Sequence, residues 1–346
     1  MHMADALISP AVGGALWAAS AGISSYSAAK IRDTLDDVKV PLMGVVGAFV
    51  FAAQMINFTI PGTGSSGHLG GGMLLAILLG PHAGFITMAS ILTVQALVFA
   101  DGGLLALGCN IFNLAFFPCF IAYPLIYKKI AGNHPTQRRL LAGIILSAVV
   151  GLQLGAFSVV LETIASGITS LPFGAFVLLM QPVHLAIGIV EGIVTAAVVL
   201  FVWKERPEIL QAGGSLDSGR GIRPVLTGLL AAALLTAGVL SWFASEYPDG
   251  LEWSVANVSG QEELTAPEGI HVILAELQEK TAFLPGYNFK QAGGAVQEAT
   301  VSGASNQGAW PAIDTGTSLA GIVGSLLTLV LAGLLAKSIK YAVRHS

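Results

Sequence analysis

Charged residues are scarce in this chain of 346 residues: Asp, Glu, Lys and Arg make up 10%, whereas 54% of the residues are hydrophobic. Soluble domains carry about 25% charged residues, so the composition excludes an ordinary soluble protein. Cysteine is scarcer still, with only Cys109 and Cys119. Both fall in one apolar segment, where helical rise separates them by about 15 Å, beyond disulfide reach. We therefore expect two unpaired core cysteines.

Motifs for nucleotide and peptide-bond chemistry are also missing. The glycine-rich loop from Ile60 to Gly72 has the spacing of a phosphate-binding loop, but His68 and Leu69 stand where Lys and Ser/Thr are required. No HExxH segment occurs, which argues against a zinc protease. An intramembrane serine protease needs a serine on a separate helix, whereas Ser65 and Ser66 adjoin His68 in the same loop. We predict that the chain is not an enzyme.

The chain contains long apolar runs. They predict an all-α, polytopic helical membrane protein, with spans near residues 7–29, 40–57, 68–80, 83–100, 103–127, 140–166, 174–202, 224–244 and 317–336. The first seven spans form an N-terminal bundle, residues 1–205. A polar Gly/Ser-rich linker follows at 206–223. The second unit, 224–346, has two further transmembrane helices flanking an extracellular loop at 245–316.

The distribution of basic residues predicts the orientation. If the N-terminus is outside and the C-terminus cytoplasmic, all of the 16 basic residues except Lys280 and Lys290 lie on the cytoplasmic side. This asymmetry follows the positive-inside rule. A cleaved signal peptide is the alternative for the first span, since Ala18 to Ala21 has the small residues of a cleavage site. The chain start lacks a basic segment and carries Asp5, which favours an uncleaved span.

Small residues recur every fourth position in two spans. Gly14, Ala18 and Gly22 form one row, and Gly44, Ala48 and Ala52 form the other. Such rows let membrane helices approach closely, so we expect packing within the bundle. A contact surface for a partner membrane protein is the alternative.

The start of the chain suggests metal chemistry. A free amine, the amide nitrogen of residue two and Nδ1 of His2 can chelate one ion in fused five- and six-membered rings, which leaves one planar position open. Met1 is expected to stay on, because His2 is not a small residue. The orientation places His68 on the same side, where it can fill that position. All-nitrogen planar ligation suits Ni(II) or Cu(II), and Co(II) less well. Alternatively, His2 is a mobile terminal residue and His68 a helix-end histidine.

Other polar residues carry weaker indications. Gln181, His184 and Glu191 share one face of the seventh span, where they either line a route or, as we favour, tie helices together. His82 is about 21 Å along a helix from His68, too far for both to bind one ion. No role is expected for the remaining histidines, His134, His271 and His345.

The second unit has two local signals in its loop. The run Pro248-Asp249-Gly250 is typical of a turn, since proline presets φ and glycine tolerates positive φ. Residues 268–280 have the pattern of an amphipathic helix. We expect the loop to be a structural cap or a contact for the N-terminal bundle.

Together these segments resemble a known family, the NikM/CbiM-type substrate-specific components of energy-coupling-factor (ECF) transporters for nickel and cobalt. The resemblance rests on the Met1-His2 start, the Gly67-His68 loop, the run QALVFADGGLLALGCN from Gln95 to Asn110, and IGIVEGI from Ile187 to Ile193. The run PDGLE, Pro248 to Glu252, resembles the small PDGLE-type (NikN-like) component, fused here as in NikMN proteins.

The resemblance implies a cargo, a site and partners. The cargo is Ni²⁺, with Co²⁺ as the alternative, and the ligands are the Met1 amine, the His2 amide and imidazole, and the His68 imidazole. A transmembrane coupling subunit and cytoplasmic ATPases would be the partners, in a prokaryotic cell membrane, with no nucleic acid involved. A membrane metal-binding or sensing module without transport is the alternative from another class.

Overall fold

The computed structural model describes residues 1–36, 38–133, 135–210, 221–261, 264–290 and 311–341. Within them the chain is all-α apart from one short hairpin. The residues left out include most of the predicted linker, part of the predicted external loop, His134, Arg220, Arg344 and His345. The first unit contains α1 (Pro10–Ile31), α2 (Lys39–Gln54), β1 (Phe58–Ile60), β2 (Ser65–Gly67), α3 (Gly72–Leu79), α4 (Pro81–Phe99), α5 (Leu107–Ala131), α6 (Gln137–Ser166) and α7 (Phe173–Glu205).

The described part of the second unit consists of four helices. They are α8 (Arg223–Gly238), α9 (Gly250–Ser259), α10 (Ile270–Thr281) and α11 (Thr315–Tyr341). The amphipathic helix predicted at 268–280 is confirmed by α10. Cys109 and Cys119 are free and buried, as predicted.

Five of the described helices are long and apolar enough to cross a membrane: α4, α5, α6, α7 and α11. Helices α2 and α8 are apolar but shorter, with 16 residues each. The predicted fold class, an all-α polytopic membrane protein, is confirmed.

Three predicted helix starts, at residues 7, 68 and 103, are three or four residues too early, and the first two lie next to Met1 and His68. The first helix begins at Pro10, because the Ser9 hydroxyl caps Val12 N at 3.4 Å and proline suits the first helical turn. The third helix begins at Gly72, since Gly71 adopts a left-handed conformation with φ of 78°. His68 therefore lies in a loop, and the first nine residues form a separate segment.

The two rows of small residues have different surroundings. A Cβ on Gly44 would lie 2.9 Å from the carbonyl oxygen of Leu329, so the α2 row packs closely, but against α11 of the second unit and not within the N-terminal bundle. A Cβ on Gly14 or Gly22 would meet no described atom outside its own helix within 4 Å. The prediction that the α1 row packs within the bundle is therefore wrong, and this row faces outward.

The part of the second unit that contains α9 and α10 lies against the first unit. Ser66 N donates to the carbonyl oxygen of Pro248 at 2.8 Å, which joins β2 to the start of α9. His271, for which no role was predicted, is buried on α10 with Nε2 2.9 Å from the carbonyl oxygen of Ile8. Both contacts bring second-unit residues next to the N-terminal segment and the His68 loop.

Candidate metal centre

The first nine residues enter the core of the bundle. Met1 and Met3 are buried. Met3 N donates to Oδ1 of Asn110 at 2.7 Å, and Nδ2 of Asn110 donates back to the Met3 carbonyl at 3.2 Å. The carboxylate of Asp5 accepts from Ala106 N at 2.9 Å. These bonds hold the terminal segment against the loop before α5, and so fix where the amine lies.

A carboxylate from α7 holds the loop that carries His68. Glu191 is buried, and its two oxygens accept from Gly70 N at 2.8 Å and Gly71 N at 3.2 Å. The carbonyl of Gly70 accepts from Nε2 of Gln54 at 2.8 Å. Glu191 therefore positions the backbone that follows His68, which is more specific than the helix-tying role that we favoured from the sequence.

Met1 and His68, 67 positions apart in the chain, meet in this interior. The terminal nitrogen lies 3.3 Å from Nε2 of His68. Nδ1 of His68 is 3.1 Å from the carbonyl oxygen of Leu69, which only accepts, so Nδ1 carries the proton. Burial, with the nearby charges of the amine and His2, lowers the pKa of His68 to about 3. Nε2 therefore offers a lone pair toward the amine at neutral pH.

His2 stacks on His68, with ring centroids 4.9 Å apart and an angle of 8° between the rings. Its Nδ1 lies 3.0 Å from Oδ1 of Asp101, and its buried Nε2 has no hydrogen-bond partner among the described residues. Burial raises the pKa of Asp101, but the attraction of His2 and hydrogen bonds from His2 and Tyr287 outweigh it and lower this pKa to about 2. Asp101 thus stays ionised beside the ring.

This orientation of His2 differs from the one that the predicted chelate needs. A nitrogen that donates to Asp101 cannot also give its lone pair to a metal ion. A half-turn about Cβ–Cγ exchanges Nδ1 with Cδ2 and Nε2 with Cε1, which removes Nδ1 from Asp101. Chelation through Nδ1 therefore requires the ring to turn, whereas Met1 and His68 are already close together.

Asp249 of the second unit also lies beside Met1 and His68. Its Oδ2 is 3.0 Å from the Met1 amine and 3.9 Å from Nε2 of His68. Asp249 also caps α9, accepting from the backbone of Leu251 and Glu252 at 2.8 Å. Burial raises its pKa, but the amine and His68 hold it well below the usual range. Sequence reasoning identified Asp249 as part of a turn and of the PDGLE run, on the predicted external side, but gave it no role at the metal site.

Tyr287, also from the second unit, donates its hydroxyl proton to Oδ2 of Asp101. Because the other oxygen of Asp101 contacts His2, a continuous hydrogen-bonded chain runs from the second unit to the His2 ring. Nothing in the sequence pattern indicated Tyr287.

The remaining polar residues make local contacts. Nδ1 of His184 is 2.8 Å from the carbonyl of Met180, Gln181 bonds to the backbone of Gln153, and His82 contacts Ser27. Among the described residues, no three or more side chains of His, Cys, Asp or Glu are grouped so that they could hold a metal ion. A site at Met1 and His68 must therefore draw on the amine and backbone as well as on side chains.

Comparisons with known proteins match two stretches of the chain. The family described as "Cobalt uptake substrate-specific transmembrane region" matches residues 2–209, and the PDGLE domain matches residues 223–341. The "Putative fused nickel transport protein NikMN" of Archaeoglobus fulgidus is 32% identical over 96% of this chain and 96% of its own length.

Two further similarities cover the first unit. The "Putative metal transport protein HQ_3621A" of Haloquadratum walsbyi is 37% identical over 61% of this chain and 93% of its own length. A crystal structure of a truncated transition metal transporter superposes with a TM-score of 0.53 at 30% identity, covering 59% of this chain and 99% of that one.

Proposed function

Because the chain belongs to the family of cobalt uptake substrate-specific transmembrane regions and ends in a PDGLE domain, we propose that it is the substrate-binding membrane component of an ATP-driven ECF importer for Ni²⁺. It is a metal-transport component and not an enzyme. In this proposal the chain captures the ion outside the cell, and coupling and ATPase subunits drive its release into the cytoplasm.

The proposed ligands are the Met1 amine, the His2 amide nitrogen, Nδ1 of His2 and Nε2 of His68. The observation that carries this assignment is the distance of 3.3 Å between the Met1 nitrogen and Nε2 of His68 in a buried setting. The His2 ring turns away from Asp101 as the ion arrives. Amide and imidazole ligation displaces protons, so the affinity should fall as the solution is acidified.

Nickel is favoured over cobalt on chemical grounds. Four nitrogens in a plane suit Ni(II), and a deprotonated amide strengthens that preference. The names of relatives point both ways, since the matching family is described by cobalt uptake and the Archaeoglobus relative by nickel transport. Competition between Ni²⁺ and Co²⁺ for the purified protein measures the preference directly.

The proposed assembly places the N-terminus outside and the C-terminus in the cytoplasm of a prokaryotic cell. The outward-facing row of Gly14, Ala18 and Gly22 supports a close contact with a membrane partner such as the coupling subunit. Co-purification of coupling and ATPase subunits, with ATP-dependent uptake of radioactive Ni²⁺, tests this arrangement. Binding without uptake would favour the metal-sensing alternative.

The ligand set is tested by the His2→Gln variant. The substitution removes the imidazole that closes the chelate ring, so Ni²⁺ affinity measured by calorimetry should fall by at least about 100-fold. Mass spectrometry of the intact protein must show that Met1 is retained in the parent and in the variant. His82→Gln is the matched control, and undiminished affinity in the His2→Gln variant would exclude the chelate.

A further inference from the structure

A small cavity adjoins the proposed site and has an additional histidine in its wall. Its polar lining residues are His68, His184 and Asp249, together with Met1. The rest of the wall is apolar or glycine: Gly67, Gly70, Leu114, Leu152, Ile187 and Gly250. The cavity therefore combines an amine, two imidazoles and a carboxylate, and His184 has no part in the ligand set proposed above.

The tautomer of His184 follows from its hydrogen bond. Nδ1 lies 2.8 Å from the carbonyl oxygen of Met180, one helical turn earlier, so Nδ1 carries the proton. Nε2 then has a free lone pair, and it is buried with no partner in the part of the chain that the structure describes. Leaving such an acceptor unsatisfied costs stability, so a buried unpartnered nitrogen calls for an explanation.

The start of α9, in the second unit, packs against the His184 ring. A Cβ on Gly250 would lie 3.2 Å from Cε1 of His184 and 2.6 Å from Cγ1 of Val183, so only glycine allows α9 to begin this close to α7. The residue before it, Asp249, contacts the Met1 amine at 3.0 Å. The ring edge that bears Cε1 therefore faces the α9 start, and a neutral imidazole and a carboxylate share one cavity.

These observations point to a role for His184 and Asp249 in binding the transported ion. An imidazole and a carboxylate suit divalent first-row metals, but two donors hold an ion less firmly than four nitrogens. We propose that His184 is a further metal-ligating residue, which with Asp249 holds the incoming divalent transition-metal cation before it takes the nitrogens of Met1, His2 and His68. This inference rests on the proposed function.

Stopped-flow measurement of Ni²⁺ binding to the full-length protein provides the first test. In the His184→Leu variant, association should slow by about tenfold or more. The equilibrium affinity from calorimetry should stay within about threefold, because a side chain that binds the ion only transiently changes the association and dissociation rates by the same factor. His184→Asn, whose Nδ2 takes the place of Nδ1 and can still donate to Met180, covers the case in which the leucine variant does not fold. His82→Gln is the matched control for loss of a histidine elsewhere.

Direct binding of a metal ion to His184 and Asp249 provides the second test. In the His2→Gln variant, where the N-terminal chelate cannot close through the imidazole, Co²⁺ should still bind weakly and give a visible absorption spectrum. Adding His184→Leu or His184→Asn should abolish that spectrum. An unchanged association rate in the His184 variants, or a residual spectrum that does not depend on His184, would overturn the proposal.

The two proposals fail in different ways. If the parent protein binds no Ni²⁺, the proposed function is wrong. If the parent binds Ni²⁺ and the His2→Gln variant loses high-affinity binding, but His184 variants associate at the parent rate, only the role of His184 is wrong. A large loss of equilibrium affinity without slower association would also contradict a transient role.

Discussion

The first and second units approach the candidate metal centre in different ways. The first unit contributes nitrogen: the Met1 amine and the imidazoles of His2 and His68, held through backbone contacts to Asn110 and Glu191. The second contributes oxygen: the Asp249 carboxylate, which contacts the amine, and the Tyr287 hydroxyl, which contacts Asp101.

This difference suggests that the first unit binds the metal ion, whereas the second unit positions the ligands. The Haloquadratum relative aligns over 93% of its length with only 61% of this chain, so it has no room for a second unit of this size. The nitrogens alone are therefore expected to define the site, while the second unit adjusts their orientation and charge. Effects of substitution should decrease from the first unit to the second.

The largest effect is expected from His68→Ala. It removes a proposed ligand, and Ni²⁺ affinity should fall by at least about 100-fold in calorimetry. His82→Ala, a half-buried histidine in contact with Ser27, should leave the affinity unchanged. Equal affinities for the two variants would show that the nitrogens do not define the site.

A smaller loss is expected from Glu191→Gln, which disturbs the loop without touching a proposed ligand. Glutamine has one acceptor for the two N–H groups of Gly70 and Gly71, so one buried donor loses its partner. The free energy of unfolding should drop by about 1–3 kcal/mol, and the Ni²⁺ affinity by about 10- to 100-fold. Glu205→Gln, at the exposed end of α7, is the control, and thermal unfolding with and without Ni²⁺ measures both effects.

Asp249→Asn tests the second unit. It preserves shape but removes the negative charge beside the amine and His68, so the affinity for a divalent ion should fall by about tenfold. Glu246→Gln changes an exposed carboxylate three positions earlier and should leave the Ni²⁺ affinity unchanged. A loss as large as that of His68→Ala would make Asp249 a full ligand and remove the distinction between the units.

The smallest effect is expected from Tyr287→Phe, since it acts on His2 through Asp101. Loss of one hydrogen bond to a carboxylate that keeps its other contacts should weaken Ni²⁺ binding by only about two- to tenfold. The Ni²⁺ absorption spectrum should not change, because the bound His2 ring has turned away from Asp101. Tyr247→Phe, on an exposed tyrosine of the same unit, is the control, and equal affinities for all three proteins would argue against positioning through Asp101.

The fold could be predicted in large part from local patterns. Apolar runs indicated the membrane-spanning helices, and the period of residues 268–280 indicated α10. The chemistry of Met1 and His2, with the predicted orientation, indicated His68 as their partner, and these residues lie together, although their role as ligands stays a prediction. The hairpin β1–β2 and the start of α3 at Gly72 were missed, because three-residue strands and a single left-handed glycine leave little pattern.

The contacts between the units could not be predicted. Asp249 is 248 positions from Met1, His271 is 263 positions from Ile8, and Tyr287 is 186 positions from Asp101. Each residue looks ordinary in its own segment: a turn, a helix surface and a loop. Their roles depend on how the second unit lies on the first, which periodicity does not encode.

The sequence by itself determined the class of the protein, the spacing of its helices and the chelating potential of its first two residues, because hydropathy and covalent geometry act locally. Only the tertiary structure decided that the amine is buried beside His68 and Asp249, that Glu191 fixes the loop, and that the lone pair of His184 has no partner among the described residues. Burial and convergence of this kind depend on contacts between distant segments, which form only when the helices pack.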